Sequence, residues 1–440
     1  MGKKRILPVL LMLVLTLSGC AMRAVDELYA LPKRSQEYQH LQTAIDRAME
    51  GLIYCAPLSG ENQQTVQSAD LDGDGLDEFL VFASGGMEKP LQVLVFKQNP
   101  SGGCSLMDVI QSNGTGFEQV EYVNFDEKPG LELVIGRQVS DRVLRSVSVY
   151  SFSGGSAELI LMNGYSKFIT CDLDQNGRSE LLVFRHSEGA TDHGVAVLYS
   201  AQSGKVQRSL EAELSVDIGH IRRITKGLLQ GGEPAVYVAS AANATTVVTD
   251  VLAFQNDTFS NITYNGNVET STQTLRNFYV YPEDIDGDGV LELPALVSMK
   301  AVSLWGEDEQ KFLLRWYSMD AAGRQVDKLY SFHDYLGGWY IQLDPRLAPR
   351  ITVEQSRNQY TFYLWNESYE EATAMFTIYL FTGADRDQQA TDQGRFALYR
   401  GEGVTYGARL ERYAERFDIT QESLQNAFSL IRQDWQTGET

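Results

Sequence analysis

The sequence is short of histidine, and this shortage narrows the chemistry that it can perform. Only five histidines are present, and no nucleophile elbow, zinc-protease motif or phosphate-binding loop occurs. His186 and His193 flank Asp192 and offer a candidate metal pair, although a hairpin turn between strands explains them more simply. The sequence therefore favours a protein without a catalytic centre, and no catalytic residue is predicted.

Cysteine and positive charge are also scarce. The four cysteines form no Cys-x-x-Cys pair and no cluster with histidine, which argues against a zinc site. Besides Cys20, one disulfide can form among Cys55, Cys104 and Cys171, but the sequence does not identify its partners. Lysine and arginine total 37 against 58 aspartates and glutamates, and the formal net charge is -21. Such a balance excludes nucleic acid as an expected partner and suits the binding of cations.

Long apolar runs are missing except at the N-terminus. Lys3, Lys4 and Arg5 precede "ILPVLLMLVLTL", a run that is short for a membrane span, and "LSGC" ends at Cys20. This arrangement resembles a bacterial lipoprotein signal. The resemblance implies that residues 1–19 are removed and that Cys20 carries the lipid, so that the protein is anchored at the extracytoplasmic face of the cell membrane. An ordinary secretory signal or an uncleaved anchor is the alternative.

One acidic loop recurs along the middle of the chain. "DLDGDGLDEFLVF" begins at Asp70, and related segments begin at Asn124, Asp172, Thr225 and Asp284. The five segments align without gaps, and position nine is always glutamate: Glu78, Glu132, Glu180, Glu233 and Glu292. A stretch rich in β-forming residues follows each loop. A period of about 50 residues with several short strands predicts a mainly β protein of β-propeller type.

Three of these loops carry carboxylate or amide side chains at positions one, three, five and nine. Oxygen atoms in such a pattern converge on one point, and calcium takes six to eight oxygen ligands. The sequence predicts structural calcium at Asp70, Asp72, Asp74 and Glu78; at Asp172, Asp174, Asn176 and Glu180; and at Asp284, Asp286, Asp288 and Glu292. The second loop has Lys128 at position five, where an ammonium group would replace the ion, so no calcium is expected there.

The residues after the loops distinguish between kinds of calcium protein. An EF-hand needs a ligand at position twelve and a helix immediately after it, whereas position twelve here is Val81, Val183 or Ala295 within an apolar run. The loops instead resemble those of the FG-GAP and VCBS repeats of integrin-type β-propellers, although the Phe-Gly and Gly-Ala-Pro signature is absent. The resemblance covers about residues 60–335 and implies an ion that stiffens a blade edge.

The predicted organisation has four parts. Residues 1–19 are the signal peptide, and residues 20–57 are a tether with an amphipathic helix in 36–53. Residues 58–337 are a propeller of about five blades, with six or seven as alternatives. Residues 338–440 are a small α+β domain, in which Tyr406, Leu410, Tyr413 and Phe417 predict one helix and Asp418 caps another.

Two functions fit this organisation. The first is a non-catalytic, membrane-anchored binding or scaffold module for protein or glycan partners. The second is an envelope enzyme, or an accessory subunit of one, with a site in the propeller funnel or at the domain interface. A pocket with converging histidines or carboxylates away from the calcium loops would favour the enzyme.

Overall fold

The chain consists mainly of antiparallel β-sheets, and a computed structural model describes most of it. The described residues are 36–86, 88–99, 103–139, 145–187, 193–202, 205–277, 279–299, 311–366, 368–432 and 435. The predicted signal peptide and Cys20 lie outside them. The prediction of a mainly β protein is confirmed by six antiparallel sheets in these residues. Within them, no helix is long and apolar enough to cross a membrane.

The described residues divide into two compact units. The first contains Gln64–Ala69, Gly75–Asn113 and the chain before Pro57. Its helix, α1 (Gln36–Ala48), lies within the stretch predicted to be helical. Its sheet, sheet one, contains β1 (Ile53–Tyr54), β2 (Val66–Ala69), β3 (Glu78–Ser84), β4 (Leu91–Gln98) and β5 (Cys104–Ser112). Leu41 and Ile45 of α1 are buried against Val81, Leu94 and Phe96 of this sheet, which is why the helix needs an apolar stripe.

The second unit begins with three four-stranded meanders. Sheet two contains β6 (Gly116–Val123), β7 (Glu132–Gln138), β8 (Arg145–Ser151) and β9 (Glu158–Tyr165). Sheet three contains β10 (Lys167–Cys171), β11 (Glu180–His186), β12 (Gly194–Gln202) and β13 (Lys205–Glu213). Sheet four contains β14 (Ile221–Leu228), β15 (Pro234–Ala241), β16 (Val247–Gln255) and β17 (Thr258–Asn261).

Two five-stranded sheets complete the second unit. Sheet five contains β18 (Leu293–Ser298), β19 (Phe312–Met319), β20 (Gln325–Asp334), β21 (Trp339–Leu343) and β27 (Phe428–Leu430). Sheet six contains β22 (Ile351–Ser356), β23 (Gln359–Asn366), β24 (Ser368–Thr382), β25 (Phe396–Arg400) and β26 (Val404–Leu410). The short helix α2 (Arg386–Gln389) lies beside sheet six. A second short helix, α3 (Gln421–Ala427), lies between β26 and β27 in the chain.

The core of the second unit is a series of layers between successive sheets. Val134 and Val149 of sheet two pack in one cluster with Leu181 and Val197 of sheet three. Similar clusters join sheets three and four, four and five, and five and six. Each middle sheet is therefore covered on both faces, which explains why its central strands are apolar runs rather than strict alternations.

One helix prediction is wrong, namely that based on Tyr406, Leu410, Tyr413 and Phe417. Val404–Leu410 forms β26, and only Ala414–Phe417 is helical, as a 3-10 turn. β26 pairs with β24 on one edge and β25 on the other, so pairing in the sheet overrides the helical spacing.

The second helix predicted in this region is shorter than expected and begins later. Thr420, not Asp418, caps α3: its hydroxyl accepts from the Ser423 amide, and its own backbone amide donates to the Ser423 hydroxyl. Asp418 instead adopts a left-handed backbone conformation with φ of 58°. The residues after Ala427 leave the helix to form β27, which pairs with β21.

Candidate metal sites in the acidic loops

Loop three, residues 172–180, joins the end of β10 to the first residue of β11. Backbone N–H groups of Asn176 and Gly177 donate to the Asp172 carboxylate at 3.1 and 2.9 Å, which curls the loop around this side chain. Gln175 and Gly177 have φ of 58° and 82°, so the turn requires two left-handed residues. Glycine at position six meets one of these requirements without steric cost.

Loop three brings three carboxylates together. One oxygen each from Asp172, Asp174 and Glu180 lies within 4.8 Å of the other two. Asn176 is placed differently, since its amide donates to Asp174 at 2.8 Å and its oxygen accepts from the Arg178 amide at 2.8 Å. Three of the four predicted ligands therefore converge, while Asn176 takes part in the hydrogen bonds of the loop.

Glu180 is the buried member of this group, with only 2% of its surface exposed. Its Oε2 accepts a hydrogen bond of 2.8 Å from the Leu173 amide. Burial raises the pKa of Glu180 to about 7, and the nearby Asp174 and Asp172 add to the rise, while the Leu173 amide opposes it. A divalent cation at this point would compensate the carboxylates, whose mutual repulsion is otherwise unrelieved.

Loop five repeats this geometry with one difference. Asp284, Asp286 and Glu292 also offer oxygens within 4.8 Å of one another. Glu292 is fully buried; its Oε2 accepts from the Ile285 amide at 3.1 Å, and its Oε1 forms no hydrogen bond with any described residue. Burial raises the pKa of Glu292 to about 7. A buried, unsatisfied carboxylate oxygen beside two further carboxylates is the chemistry expected of an oxygen-ligand cation site.

The difference in loop five is Lys328, which comes from β20. Its ammonium group donates to Asp288 and lies 3.8 Å from Asp286. Asp288, the predicted position-five ligand, is therefore held by a lysine and is not part of the converging group. The hydrogen bond with Asp288 raises the pKa of Lys328. Sequence reasoning missed Lys328 because it lies 40 residues beyond Asp288 and carries no local signal.

Loop one is divided between the two units. In the second unit, Asp70 accepts from the Gly73 amide at 2.8 Å, and Asp72 accepts from the Asp74 amide at 3.3 Å. In the first unit, Glu78 begins β3, is fully buried, and has the Lys97 ammonium 3.6 Å from its Oε1.

Loops two and four lack the full set of carboxylates. In loop two, the Lys128 ammonium lies 3.6 Å from Asp126, as its position in the loop leads one to expect. The Phe125 amide still donates to Glu132 Oε2 at 2.8 Å, so the position-nine glutamate closes the loop where few metal ligands remain.

Loop four is shorter than the gap-free alignment predicts. Thr225, aligned as its first residue, lies inside β14, and the turn is confined to 229–233. The Leu229 amide donates to the backbone oxygen of Glu233 at 2.8 Å, and Glu233 Oε2 is buried without a hydrogen-bond partner among the described residues. Leu229 is buried, as Leu173 is in loop three, although the two leucines stand at positions five and two of the gap-free alignment.

Backbone hydrogen bonds link the loops of neighbouring repeats. The Leu131 amide donates to the Asp70 oxygen at 2.9 Å, and the Ser179 amide donates to the Asn124 oxygen at 2.7 Å. The Leu291 amide donates to the Leu228 oxygen at 3.2 Å. In each case position eight of one loop contacts the preceding loop or the strand that leads into it, so an ion that fixed a loop would also fix the junction between repeats.

The other sequence candidates lie apart from these groups. Cys55, Cys104 and Cys171 form no disulfide in the structure. His186 Nδ1 lies 2.8 Å from Asp217, while Asp192 falls outside the described residues. Within the described part of the chain, the groups of carboxylates, histidines or cysteines close enough to hold an ion are those of the acidic loops.

Comparison with known proteins finds structural similarity at low sequence identity. No family model and no curated protein matches it. The rhamnogalacturonan lyase YesW is a similar solved structure, at 10% identity and a TM-score of 0.29, over 73% of this chain and 64% of the lyase. A rhamnogalacturonan lyase from Bacillus licheniformis is 10% identical, with a TM-score of 0.30, over 73% of this chain and 72% of that lyase. A protein from Lactobacillus plantarum is 8% identical, with a TM-score of 0.23, over 74% of this chain and 94% of that protein. The chain thus spans about two thirds of the length of YesW.

Proposed function

We propose that this protein is a calcium-stabilised β-propeller that serves as a non-catalytic binding or scaffold module at the outer face of a cell membrane. The observation that carries the proposal is the buried glutamate of loops three and five, which meets two aspartates in the loop that leads into a strand. These loops are joined to their neighbours by backbone hydrogen bonds. An ion in such a position stiffens a scaffold and leaves the sheets free to present a binding surface.

The proposed propeller has about five blades, as the five copies of the loop predict. Sheets two to four are four-stranded meanders in chain order, and each packs its face on the next, which is the way that blades are built. Sheet six follows as the β part of the C-terminal domain, and counting it as a blade gives the six-bladed alternative.

Calcium is the proposed ion because of the donors. All the converging atoms in loops three and five are carboxylate oxygens, which hard cations prefer. Backbone oxygens and water would complete the six to eight ligands that calcium takes, whereas magnesium demands a stricter octahedral arrangement. From its sequence, loop one is proposed as a third site, and loops two and four are proposed to be empty.

The membrane attachment is proposed through a lipid on Cys20. The charged and apolar segments before this cysteine support it. Two acyl chains hold a protein at a membrane without a basic patch, which suits a chain of net charge -21. Mass spectrometry of the membrane fraction should find a lipid-modified Cys20 at the N-terminus, and an unmodified Met1 or a soluble chain would overturn this part.

Calcium titration by calorimetry tests the central part of the proposal. The parent protein should bind calcium at more than one site, and Asp174→Asn should remove the loop-three site. Asp126→Asn, in the lysine-containing loop two, is the matched control and should leave calcium binding unchanged. Equal binding by the parent and Asp174→Asn would overturn the assignment of loop three.

A further inference from the structure

A basic cavity lies within the second unit, away from the ion-binding groups of loops three and five. It has a volume of about 290 Å³ and is lined mainly by residues of β6, β10 and β14, the first strands of sheets two, three and four. Arg145 of β8 and Tyr165 of β9 also belong to the lining. Pockets for small molecules range upward from about 300 Å³, so this cavity suits a small ligand.

The charge of the cavity is opposite to that of the protein. Its lining includes four cationic side chains and one carboxylate, namely Arg145, Lys167, Arg222, Arg223 and Glu118. The whole chain has a formal net charge of -21. Gathering like charges is unfavourable unless an anion balances them, so this concentration of positive charge marks a site for a negative ligand.

Two of the cations are held in place by other groups. Arg145 Nη2 lies 3.1 Å from Glu118, and its Nη1 donates to the Ser166 backbone oxygen at 3.1 Å. The Arg223 guanidinium lies 4.3 Å from the centre of the Tyr281 ring. Lys167 and Arg222, by contrast, form no ion pair with the residues that the structure describes. The cavity therefore combines fixed cations with two that are available to a ligand.

Tyr165 provides a second, independent observation. Its ring belongs to the lining and packs edge-on against Phe168, with ring centres 5.0 Å apart. The side chain is 8% exposed, and its hydroxyl forms no hydrogen bond with any described residue. A buried hydroxyl without a partner costs free energy, and a ligand oxygen in the cavity would satisfy it.

We propose that this cavity binds a small oxyanion, a carboxylate or phosphate carried by a hydroxylated molecule the size of a single sugar. Lys167 and Arg222 contact the oxyanion, and Tyr165 contributes a hydrogen bond. Ser59, Gln119 and Ser166 supply polar groups for the hydroxyls. This inference rests on the proposed role as a binding module and names the class of its ligand.

Calorimetry of the purified full-length chain with three probes tests the proposal. Glucuronate carries a carboxylate, glucose 6-phosphate carries a phosphate, and glucose is uncharged. At least one charged probe should bind, and the stronger of the two identifies the source of the oxyanion. Glucose should bind at least about tenfold more weakly, because a hydrogen bond to a charged group is worth about 1.5–3 kcal/mol. Binding of neither charged probe, or equal binding of glucose, would overturn the proposal.

Charge variants locate the binding. The double variant Lys167→Gln with Arg222→Gln should lower the affinity for the charged probe at least about tenfold. Lys89→Gln with Arg412→Gln, at exposed residues elsewhere, is the matched control and should leave affinity unchanged. Glu118→Gln should tighten binding, because it removes the one lining carboxylate and releases Arg145. An unchanged affinity in the first double variant, or weaker binding by Glu118→Gln, would contradict the site.

Calcium-dependent melting of the same variants separates this inference from the proposed function. The double variant should keep the calcium-dependent rise in melting temperature, since the cavity residues are not the ion ligands. Loss of probe binding with an intact calcium response shows that the fold persists. If the parent binds no charged probe but is stabilised by calcium, the cavity proposal fails alone.

Discussion

The backbone amide of Leu173 donates a hydrogen bond of 2.8 Å to Oε2 of Glu180, and this bond closes loop three. The same bond joins Phe125 to Glu132 in loop two. The position-nine glutamate closes the loop in both repeats, and in loop three it also faces two aspartates. Because loop two contains a lysine at position five, a comparison of the two loops separates these roles.

Glu180→Gln and Glu132→Gln form the pair that separates these roles. Glutamine keeps an acceptor for the backbone amide, so both loops stay closed. Without calcium at pH 7, Glu180→Gln should be as stable as the parent or more so, because burial raises the pKa of Glu180 and penalises its charge. With calcium, it should be less stabilised than the parent. Glu132→Gln should keep the full calcium response in thermal melting, and a loss there equal to that of Glu180→Gln would contradict the division of roles.

Lys328 should lower the calcium affinity of loop five. Its ammonium group holds Asp288 and lies 3.8 Å from Asp286, so calcium must displace a protein cation. In a background that carries Asp72→Ala and Asp174→Ala, Lys328→Gln should tighten calcium binding in calorimetry and lower the stability of the calcium-free protein. Lys89→Gln is the control for charge alone. Weaker calcium binding by Lys328→Gln would show that the lysine assists the site.

Gly177→Ala should destabilise loop three through its backbone. The residue has φ of 82°, and a Cβ there meets no atom within 4 Å, so the cost is conformational rather than steric crowding. A left-handed conformation costs an L-residue about 1–2 kcal/mol, and urea unfolding should show a loss of that size. Gly154 also has open space around it, without a left-handed φ. Gly154→Ala should therefore have a smaller effect, and equal losses would contradict the conformational cause.

His333 should make the protein less stable in mild acid. Burial lowers its pKa to about 3, and its Nε2 lies 2.9 Å from the Ser331 hydroxyl. An unfolded histidine has a pKa of about 6.5, so the unfolded state takes up the proton first as pH falls. The resulting stability is present above pH 6.5 and decreases as pH falls towards 3, by about 2 kcal/mol at pH 5.

Urea unfolding at pH 7.5 and pH 5.0 measures this contribution. His333→Gln should be less stable than the parent at pH 7.5, because the ring that stacks on Tyr340 is lost. The difference between the two should narrow at pH 5.0. His220→Gln, at an exposed residue, is the control. An equal difference at both pH values would contradict the role of His333.

The repeat was readable from the sequence because it depends on local geometry. Asp172, Gly177 and Glu180 have fixed spacings that a tight turn followed by a strand requires, and the structure brings the carboxylates together as that spacing predicts. The contact of Lys328 with loop five could not be predicted from the sequence, because it forms only through the pairing of strands that are distant in the chain. The helix predicted at Tyr406 is wrong because the spacing of Tyr406 and Leu410 fits both the helical and the strand period. Only the neighbouring strands in sheet six decide between the two.

Thermal melting of the parent protein in calcium, in magnesium and in a calcium chelator tests the central claim most directly. An ion that binds only the folded state adds about 2.7 kcal/mol per site when its free concentration is a hundred times the dissociation constant. We expect a melting temperature that rises by several degrees in calcium relative to chelator, with a smaller rise in magnesium. Coincident melting curves in calcium and chelator would contradict the claim that these loops hold calcium.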